Sequence, residues 1–337
     1  SVRCVVETAF FVNQIWGLIE MGQDVSIFAL RVNRQQCEHA EVARYNLRDR
    51  VHAPPPLPAS SWRRIAMVLR DGISLLSKRP GAFLALLSGR LPLSFRVFHH
   101  LNAAAAMPCT QFDIIHAQFG HLGNFAMRLR QAGVLRGRLV TQFRGFDVSL
   151  AIRSQGQNYY QRLFEKGDLF LPVCEHIRRK LIDLGAPEEK TLVQYSGVDL
   201  AKFSYRRRDF QANRPLRIGS IGRLSPKKGY EYVIEALGRL KSTGHEFHYE
   251  IVGDGELQHD LAAMIRDAGL ERQVTLLGAR NHDFIAAFLH DIDIFISHNV
   301  VAASGDEEGV LDALFGDLFA EGGGGGLCFG RSCFALH

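Results

Sequence analysis

Apolar residues along this chain follow two rhythms in turn, and each change of rhythm marks an element. Around Phe11 to Glu20 they recur at helical spacing, and "MGQD" then leads into the run "VSIFAL", which reads as a strand. After the proline-rich "APPPLP" at 53–58 comes a segment both apolar and basic. The pattern then predicts strand "FDIIHAQFG", helix "NFAMRLRQAG", strand "RLVTQFRG", helix "YYQRLFEKG", strand "DLFLPVC", helix "EHIRRKLIDLG" and a closing strand "TLVQYSGVD". The polar run "YRRRDFQANRP" breaks this pattern, and alternation restarts with strands "LRIGSIG", "HYEIVG", "QVTLLG" and "IDIFIS" separated by helical stretches. Strand and helix in regular alternation predict an α/β protein with parallel sheets covered on both faces. The expected division is an N-terminal Rossmann-like domain over 1–204, a linker at 205–215, a second domain over 216–315 and a glycine-rich tail at 316–337. Two such halves would face a cleft, a favoured place for a ligand. Five consecutive glycines at 322–326 carry a large backbone entropy cost, so no helix or packed strand is expected from them.

A chain of 337 residues accommodates two domains, with 47% hydrophobic and 22% charged residues, the balance of an ordinary globular protein. The net charge of +5 is mild, and no nucleic-acid partner is expected. Its distribution is more informative. From Ser60 to His100 the basic residues are Arg63, Arg64, Arg70, Lys78, Arg79, Arg90 and Arg96, against Asp71 alone. Interleaved Leu, Phe and Ile make this segment a candidate for contact with an anionic membrane surface; a helical hairpin packed on the first sheet is the plainer alternative. No apolar run reaches the ~18 residues of a membrane span, and no signal peptide is evident. The six cysteines are scattered with no C-x-x-C pair, which reads as reduced thiols of a cytoplasmic protein rather than a disulfide framework or zinc site. A first residue of serine points to a processed or incomplete chain.

The most informative stretch is "RIGSIGRLSPKKGYEYVIEAL". A short strand ends at a glycine, shows Arg223, Lys227 and Lys228, and becomes a helix after Gly229. Cations at a strand's carboxyl end, beside the free N–H groups of a helix N-terminus, suit an anionic ligand such as phosphate. A solvated turn is the bland alternative. Two further stretches are weak alone: "IVGDGEL", with Gly253 and Gly255 around Asp254, and "SGDEEGVLDAL", whose acidic pair could serve only a helix dipole.

In this order and spacing, "GRLSPKKG", "IVGDGEL", "QVTLLG" and "DEEG" resemble the second domain of family 4 (group 1) retaining glycosyltransferases of GT-B fold. "ETAFFVNQIWGLIEMGQDVSIFAL", "IHAQFG", "TQFRGFDVS" and "YSGVDLAKF" are similar to the first half of members that build bacterial exopolysaccharides of the colanic-acid type. The resemblance implies transfer of a sugar from a nucleotide diphosphate donor to a lipid-linked or saccharide acceptor, with retention and without a metal or other cofactor. It implies that Arg223 and Lys228 stabilise the leaving diphosphate, with Lys227 an exposed neighbour, and that Glu308 holds the donor sugar. Gly222, Gly253, Gly255 and Gly309 would complete the donor side; His116, Arg144, Gly145 and Asp147 would form the acceptor side. Arg144 stands where many members carry histidine; it cannot act as a base at neutral pH but can bind phosphate or carboxylate. His116, a lone histidine after a strand, could equally be a hydrogen-bonded structural residue. The lipid-linked acceptors of this family place the work at the cytoplasmic leaflet of the membrane.

Three departures qualify the resemblance. The family's first strand is missing or altered, "ETAFF" carries an extra residue, and the second glutamate of the family, eight residues after Glu308, is replaced by Gly316. Leu311 stands where a proline usually follows "EG", so the second domain is expected to be incomplete. Other readings are a non-catalytic remnant that binds nucleotide or membrane, and a GT-B sugar-nucleotide epimerase. Asp291 and Asp293 form a D-x-D pair of the kind that binds a divalent cation in another glycosyltransferase fold, although Asp293 reads more simply as a strand-start residue. An NAD-dependent oxidoreductase would need a G-x-G-x-x-G turn after a strand, and none is present.

Overall fold

The computed structural model describes residues 9–30, 40–55, 60–78, 80–81, 83–84, 103, 111–195, 214–280, 282–306, 326–329 and 332–335. The chain divides into two compact units, Ser1–Asp147 with Gln155–Gly197, and Val148–Ser154 with Val198–His337. The division falls a few residues before the linker expected at 205–215.

In the first unit, helix α1 (Ala9–Glu20) precedes a two-stranded parallel pair, β1 (Ile27–Phe28) and β2 (Val51–His52), with α2 (Ala40–Arg44) between them. Helix α3 (Ser61–Lys78) follows. The main sheet is parallel, in the order β3 (Gln111–Ala117), β4 (Arg136–Phe143) and β5 (Leu169–Pro172). Helix α4 (Gly120–Gln131) makes the crossover from β3 to β4, and short helices α5 (Gly145–Val148) and α7 (Gln161–Lys166) precede β5; α6 (Leu150–Gln155), between them in sequence, belongs almost wholly to the second unit. Helix α8 (Glu175–Asp183) follows β5. Phe143, Tyr160, Phe164 and Phe170 form a buried aromatic cluster of edge-on and tilted pairs, with centroids 5.3–6.2 Å apart. The strand expected at "TLVQYSGVD" is reduced among the described residues to one bridge, Thr191 with Phe170, and amide bonds from Leu192 and Gln194 to the β5 edge.

The second unit holds a six-stranded sheet in the order β11-β10-β9-β6-β7-β8. Its strands are β6 (Leu216–Ile221), β7 (Phe247–Val252), β8 (Val274–Gly278), β9 (Ile294–Ser297), β10 (Gly326–Phe329) and β11 (Ser332–Ala335). All neighbours are parallel except β10 and β11. Helices α9 (Tyr230–Ser242) and α10 (Gln258–Asp267) cover one face, and α11 (His282–Asp291) the other. Adjacent strand residues point to opposite faces, so Ile251 joins Ile234, Leu237 and Leu261 in one core while Val252 joins Phe288 and Ile292 in the other. Beyond the five glycines, of which only Gly326 enters a strand, the tail contributes the hairpin β10–β11, whose backbone pairs with the free edge of β9.

The strand order fixes where a ligand belongs. From β6 the chain winds to β7 and β8 on one side, while β9 lies on the other. Loops leaving the carboxyl ends of β6 and β9 therefore diverge at a topological switch point, the usual ligand position in an open α/β sheet.

Candidate functional site

The basic turn leaves β6 at this switch point. A 3₁₀ turn, Pro226–Lys228, follows the strand, Gly229 adopts the left-handed conformation at φ 63°, and α9 begins at Tyr230 without a side-chain cap. Arg223 is exposed and Lys228 half-buried. Two cations thus stand next to a helix N-terminus, where backbone N–H groups lack intrahelical partners.

The turn is fastened from behind by the loop that leaves β9. The imidazole Nδ1 of His298 hydrogen-bonds the Lys228 carbonyl, and the Val300 amide donates to the Lys227 carbonyl at 2.9 Å. Because a carbonyl only accepts, the proton is assigned to Nδ1, leaving the lone pair of Nε2 towards the Tyr249 and Ser220 hydroxyls at 3.3 and 3.4 Å. Ser220 donates to the Ile296 carbonyl at 2.7 Å, and Tyr249 donates to Ser220 at 2.8 Å, which ties β6, β7 and β9 together. Burial pushes the His298 pKa down to about 4, and the nearby Lys228 charge acts in the same direction, so the ring is neutral at pH 7. Tyr230 packs edge-on to His298 at 4.6 Å and donates to the Gly222 carbonyl at 3.0 Å. Lys228, Tyr230, His298 and Asn299 line a shallow pocket here.

Gly253 and Gly255 have a different task from the donor contact expected of them. They press on the backbone of the basic turn: a Cβ at Gly253 would lie 1.9 Å from the Gly222 carbonyl oxygen, and one at Gly255 2.3 Å from that of Leu224. Gly253 also has φ at 149°. Hydrogen bonds from Gly222 N to Val252 O (2.9 Å) and Leu224 N to Asp254 O (2.8 Å) complete this backing. Gly222 likewise has both backbone groups engaged internally.

Lys227 is not the exposed neighbour expected. Its ammonium lies 3.3 Å from Asp306 and its side chain is 23% exposed, because the loop after β9 folds over it. The D-x-D pair is also engaged elsewhere. Asp293 accepts a fork from Arg214 (2.8 and 2.5 Å) and the Arg217 amide (2.8 Å), while Asp291 lies 3.8 Å from Arg217. Among the described residues no group of three or more His, Cys, Asp or Glu could hold a metal ion. Glu308 and Gly309 lie outside the described residues.

In the first unit, His116 near the end of β3 and Arg144 just after β4 are brought close enough that their charges oppose each other. Burial, then the Arg144 charge, lowers the His116 pKa to about 4, and its Nε2 is buried with no hydrogen-bond partner. The Arg144 guanidinium lies over the Phe11 ring at 5.1 Å and reaches Gln118 at 3.4 Å. Burial lowers the Arg144 pKa to about 10 against the pull of Asp147, so it stays cationic at neutral pH. Gln14 accepts from Gln118 at 2.7 Å. Asp147 corrects the expectation of a substrate-facing carboxylate. It is fully buried and accepts the Gly120 amide (3.0 Å) and the Arg144 amide (2.8 Å), joining the starts of α4 and α5. Gly145 opens α5. His121, 3.9 Å from Asp147 and stacked on Phe119, was not singled out by sequence.

His298 was also missed. "FISHN" carries no motif, and only the pairing of β9 with β6 places its histidine behind the basic turn. Tyr230, an apolar position at the start of the helix, is buried and also donates its hydroxyl to the Gly222 carbonyl.

Residues 9–202 match the family model described as Glycosyltransferase Family 4, and residues 202–305 match Glycosyl transferases group 1. The chain is 35% identical over 317 residues to the amylovoran biosynthesis glycosyltransferase AmsK of Erwinia amylovora, covering 92% of this chain and 76% of that protein. It is 35% identical over 322 residues to WcaL of Escherichia coli, named for colanic acid biosynthesis, covering 90% and 75%. Among solved structures, the lipopolysaccharide outer core galactosyltransferase WaaB matches with a TM-score of 0.59 at 14% identity, over 96% of this chain and 78% of that one. Anabaena HepE in complex with UDP and glucose matches with a TM-score of 0.53 at 16% identity, over 86% and 70%.

Proposed function

The chain belongs to the family 4, group 1 glycosyltransferases, with the α/β fold of the GT-B enzymes, and from that premise we propose that it moves a sugar from a nucleotide diphosphate donor to a lipid-linked or saccharide acceptor with retention of configuration. One observation carries the donor side of this reading: a basic turn, Arg223 to Lys228, at the switch point of the second sheet, braced from behind by His298. As the glycosidic bond breaks, negative charge grows on the departing diphosphate. Cations held in place beforehand stabilise that charge more in the transition state than in the ground state. Arg223 and Lys228 supply them, and the N–H groups opening α9 add a second positive end. Two protein cations make a divalent metal unnecessary in this scheme. Glu308 orients the donor sugar by accepting from its hydroxyls, as the family pattern implies.

With retention, the acceptor hydroxyl enters on the face from which the diphosphate leaves. The departing phosphate oxygen is then the nearest base for the hydroxyl proton. This reading suits a chain whose acceptor-side candidate, Arg144, is a cation at neutral pH. Arg144 would hold an anionic group of the acceptor rather than take a proton. Relatives named for amylovoran and colanic acid biosynthesis support an exopolysaccharide product.

The test is calorimetric titration of UDP and GDP, then of their sugar derivatives, into wild-type protein and an Arg223→Ala/Lys228→Ala double variant. Charge-assisted bonds to phosphate are worth roughly 1.5–3 kcal/mol each, so the double variant should bind at least about 100-fold more weakly. EDTA should leave binding unchanged. An unaltered dissociation constant in the double variant would end the diphosphate assignment. Tight binding with no product across saccharide and lipid-linked acceptors would favour the non-catalytic reading instead.

A further inference from the structure

The His298 ring lies between acceptors on both of its sides. The Lys228 carbonyl faces Nδ1, and the Ser220 and Tyr249 hydroxyls face Nε2 at 3.4 and 3.3 Å. The carbonyl takes the Nδ1 proton. The hydroxyls offer Nε2 little in return: Ser220 gives its hydrogen to the Ile296 carbonyl at 2.7 Å, and Tyr249 gives its hydrogen to Ser220 at 2.8 Å. Nε2 therefore meets two oxygen atoms whose hydrogens are directed elsewhere, lone pair against lone pair. A second proton, on Nε2, would turn that opposition into a hydrogen bond, and the ring would then donate on both sides.

Two things keep that proton off. Burial penalises a charged ring and the Lys228 ammonium repels it; together they hold the His298 pKa at about 4, against the pull of the Lys228 carbonyl. Among the described residues, Lys228 is the one charged side chain acting on the ring. Tyr230 of α9 and Tyr249 of β7 are the titratable groups packed against it, and burial raises both their pKa values, so they stay neutral. Strand β6 presents the Ser220 hydroxyl, and the Lys227 ammonium is matched by Asp306 at 3.3 Å. An anion of two or more charges seated on Lys228 reverses the field at the ring. The burial that excludes water gives the reversed field its strength.

We propose that His298 is a positioning residue for the donor diphosphate, and that it takes up a proton from solvent when the diphosphate binds. The Nε2 lone pair accepts that proton, and no other covalent bond changes. In the free protein the neutral ring sets the turn through the Lys228 carbonyl. In the bound state the imidazolium also ties the turn to the hydroxyls of β6 and β7, and it adds a positive charge behind Lys228. This role rests on the diphosphate reading of the basic turn, and the two fail in different ways.

UDP and GDP are titrated by calorimetry into wild type, His298→Asn and His298→Gln, from pH 8 to 5.5, in buffers of different ionisation enthalpy. The asparagine amide carries an N–H where Nδ1 stands but cannot titrate; the longer glutamine places its nitrogen where Nε2 stands. At pH 8 His298→Asn should bind as wild type does, whereas His298→Gln, without the bond to the turn, should bind about tenfold more weakly. Below pH 7 the wild type should pull ahead of His298→Asn by up to about tenfold per pH unit, the ceiling set by one proton. It should also take up more protons per ligand than His298→Asn, a difference from which titration of the phosphate itself cancels. Wild-type protein alone gives a second measurement, free of any folding defect in the variants. The imidazole nitrogen-15 resonance of His298, the one missing from His298→Asn, should move from the unprotonated to the protonated position when UDP is added at pH 6. Equal proton uptake by wild type and His298→Asn, an unmoved Nε2 resonance, or a glutamine variant that binds as wild type does overturns the role of His298 and leaves the diphosphate assignment standing. Failure of the wild type to bind UDP or GDP overturns that assignment and this role with it.

Discussion

Replacing Gly253 with alanine puts a methyl group where the backbone of the basic turn already is. The new Cβ would sit 1.9 Å from the Gly222 carbonyl oxygen and 2.9 Å from its carbon. Neither atom belongs to a side chain that can swing aside, so the β7 end and the turn must separate by about 1 Å to restore contact distance. At φ 149° the alanine also takes up a conformation that costs on the order of 1–3 kcal/mol. The displaced strand is the one that leads directly into Arg223. A 1 Å misplacement can lower turnover about 100-fold, because alignment of cations with the leaving group is what this loop contributes. The backbone penalty alone is controlled by Gly244→Ala, where φ is 81° and no atom lies within 4 Å of the added methyl. Thermal melts, UDP and GDP titrations and a sugar-transfer assay are run on both variants. Both should melt lower than wild type, but only Gly253→Ala should lose affinity and turnover. The reasoning fails if Gly253→Ala keeps both within twofold of wild type, or if Gly244→Ala loses as much.

Two further outcomes follow from buried polar groups. His116 and His298 have pKa values lowered to about 4 in the folded protein, against 6.5 when exposed. Folding therefore favours their neutral forms: the stability they hold is intact above pH 6.5 and is lost as pH falls towards 4, on the order of 3 kcal/mol for each. Calorimetric melts between pH 7 and 4.5 should show that decline, and a melting temperature flat across this window would contradict their burial as neutral rings. Asp147→Ala strips acceptors from the Gly120 and Arg144 amides and should destabilise by about 2–6 kcal/mol, read as the shift of a urea midpoint; a cost below 1 kcal/mol would return Asp147 to the substrate side.

Local features were legible in the sequence because they are written in local chemistry. Strand β6 and helix α9 stand where the period of the apolar residues changes, and Gly229 marks the joint. Asp293 of the D-x-D pair was rightly read as a strand-start residue, though its guanidinium partner, Arg214, lies 79 residues away. What failed needed long-range information. Asp147 looks like any polar turn residue until its burial is known, and Lys227 looks exposed until the loop bearing Asp306 folds over it. The glycines of "GDG" read as ligand contacts, whereas their missing side chains make room for another stretch of backbone. His298 could not be assigned at all, since strand order decides what it touches. The start of "TLVQYSGVD", by contrast, lies along the β5 edge as its composition suggests, through the Thr191–Phe170 bridge and the Leu192 and Gln194 amides.

The brace between His298 and Lys228 spans 70 residues of sequence, and this sets a timetable for the site. During synthesis the basic turn leaves the ribosome well before the strand that fixes it. At roughly 5–20 residues per second the interval is several seconds. Through that interval Arg223 and Lys228 belong to a loop whose back is open, and their separation is not set by anything downstream. Affinity for a diphosphate should therefore arise late and abruptly, when β9 inserts beside β6 and the imidazole closes on the Lys228 carbonyl. A nascent chain held before that point would carry the cations of the site without the site.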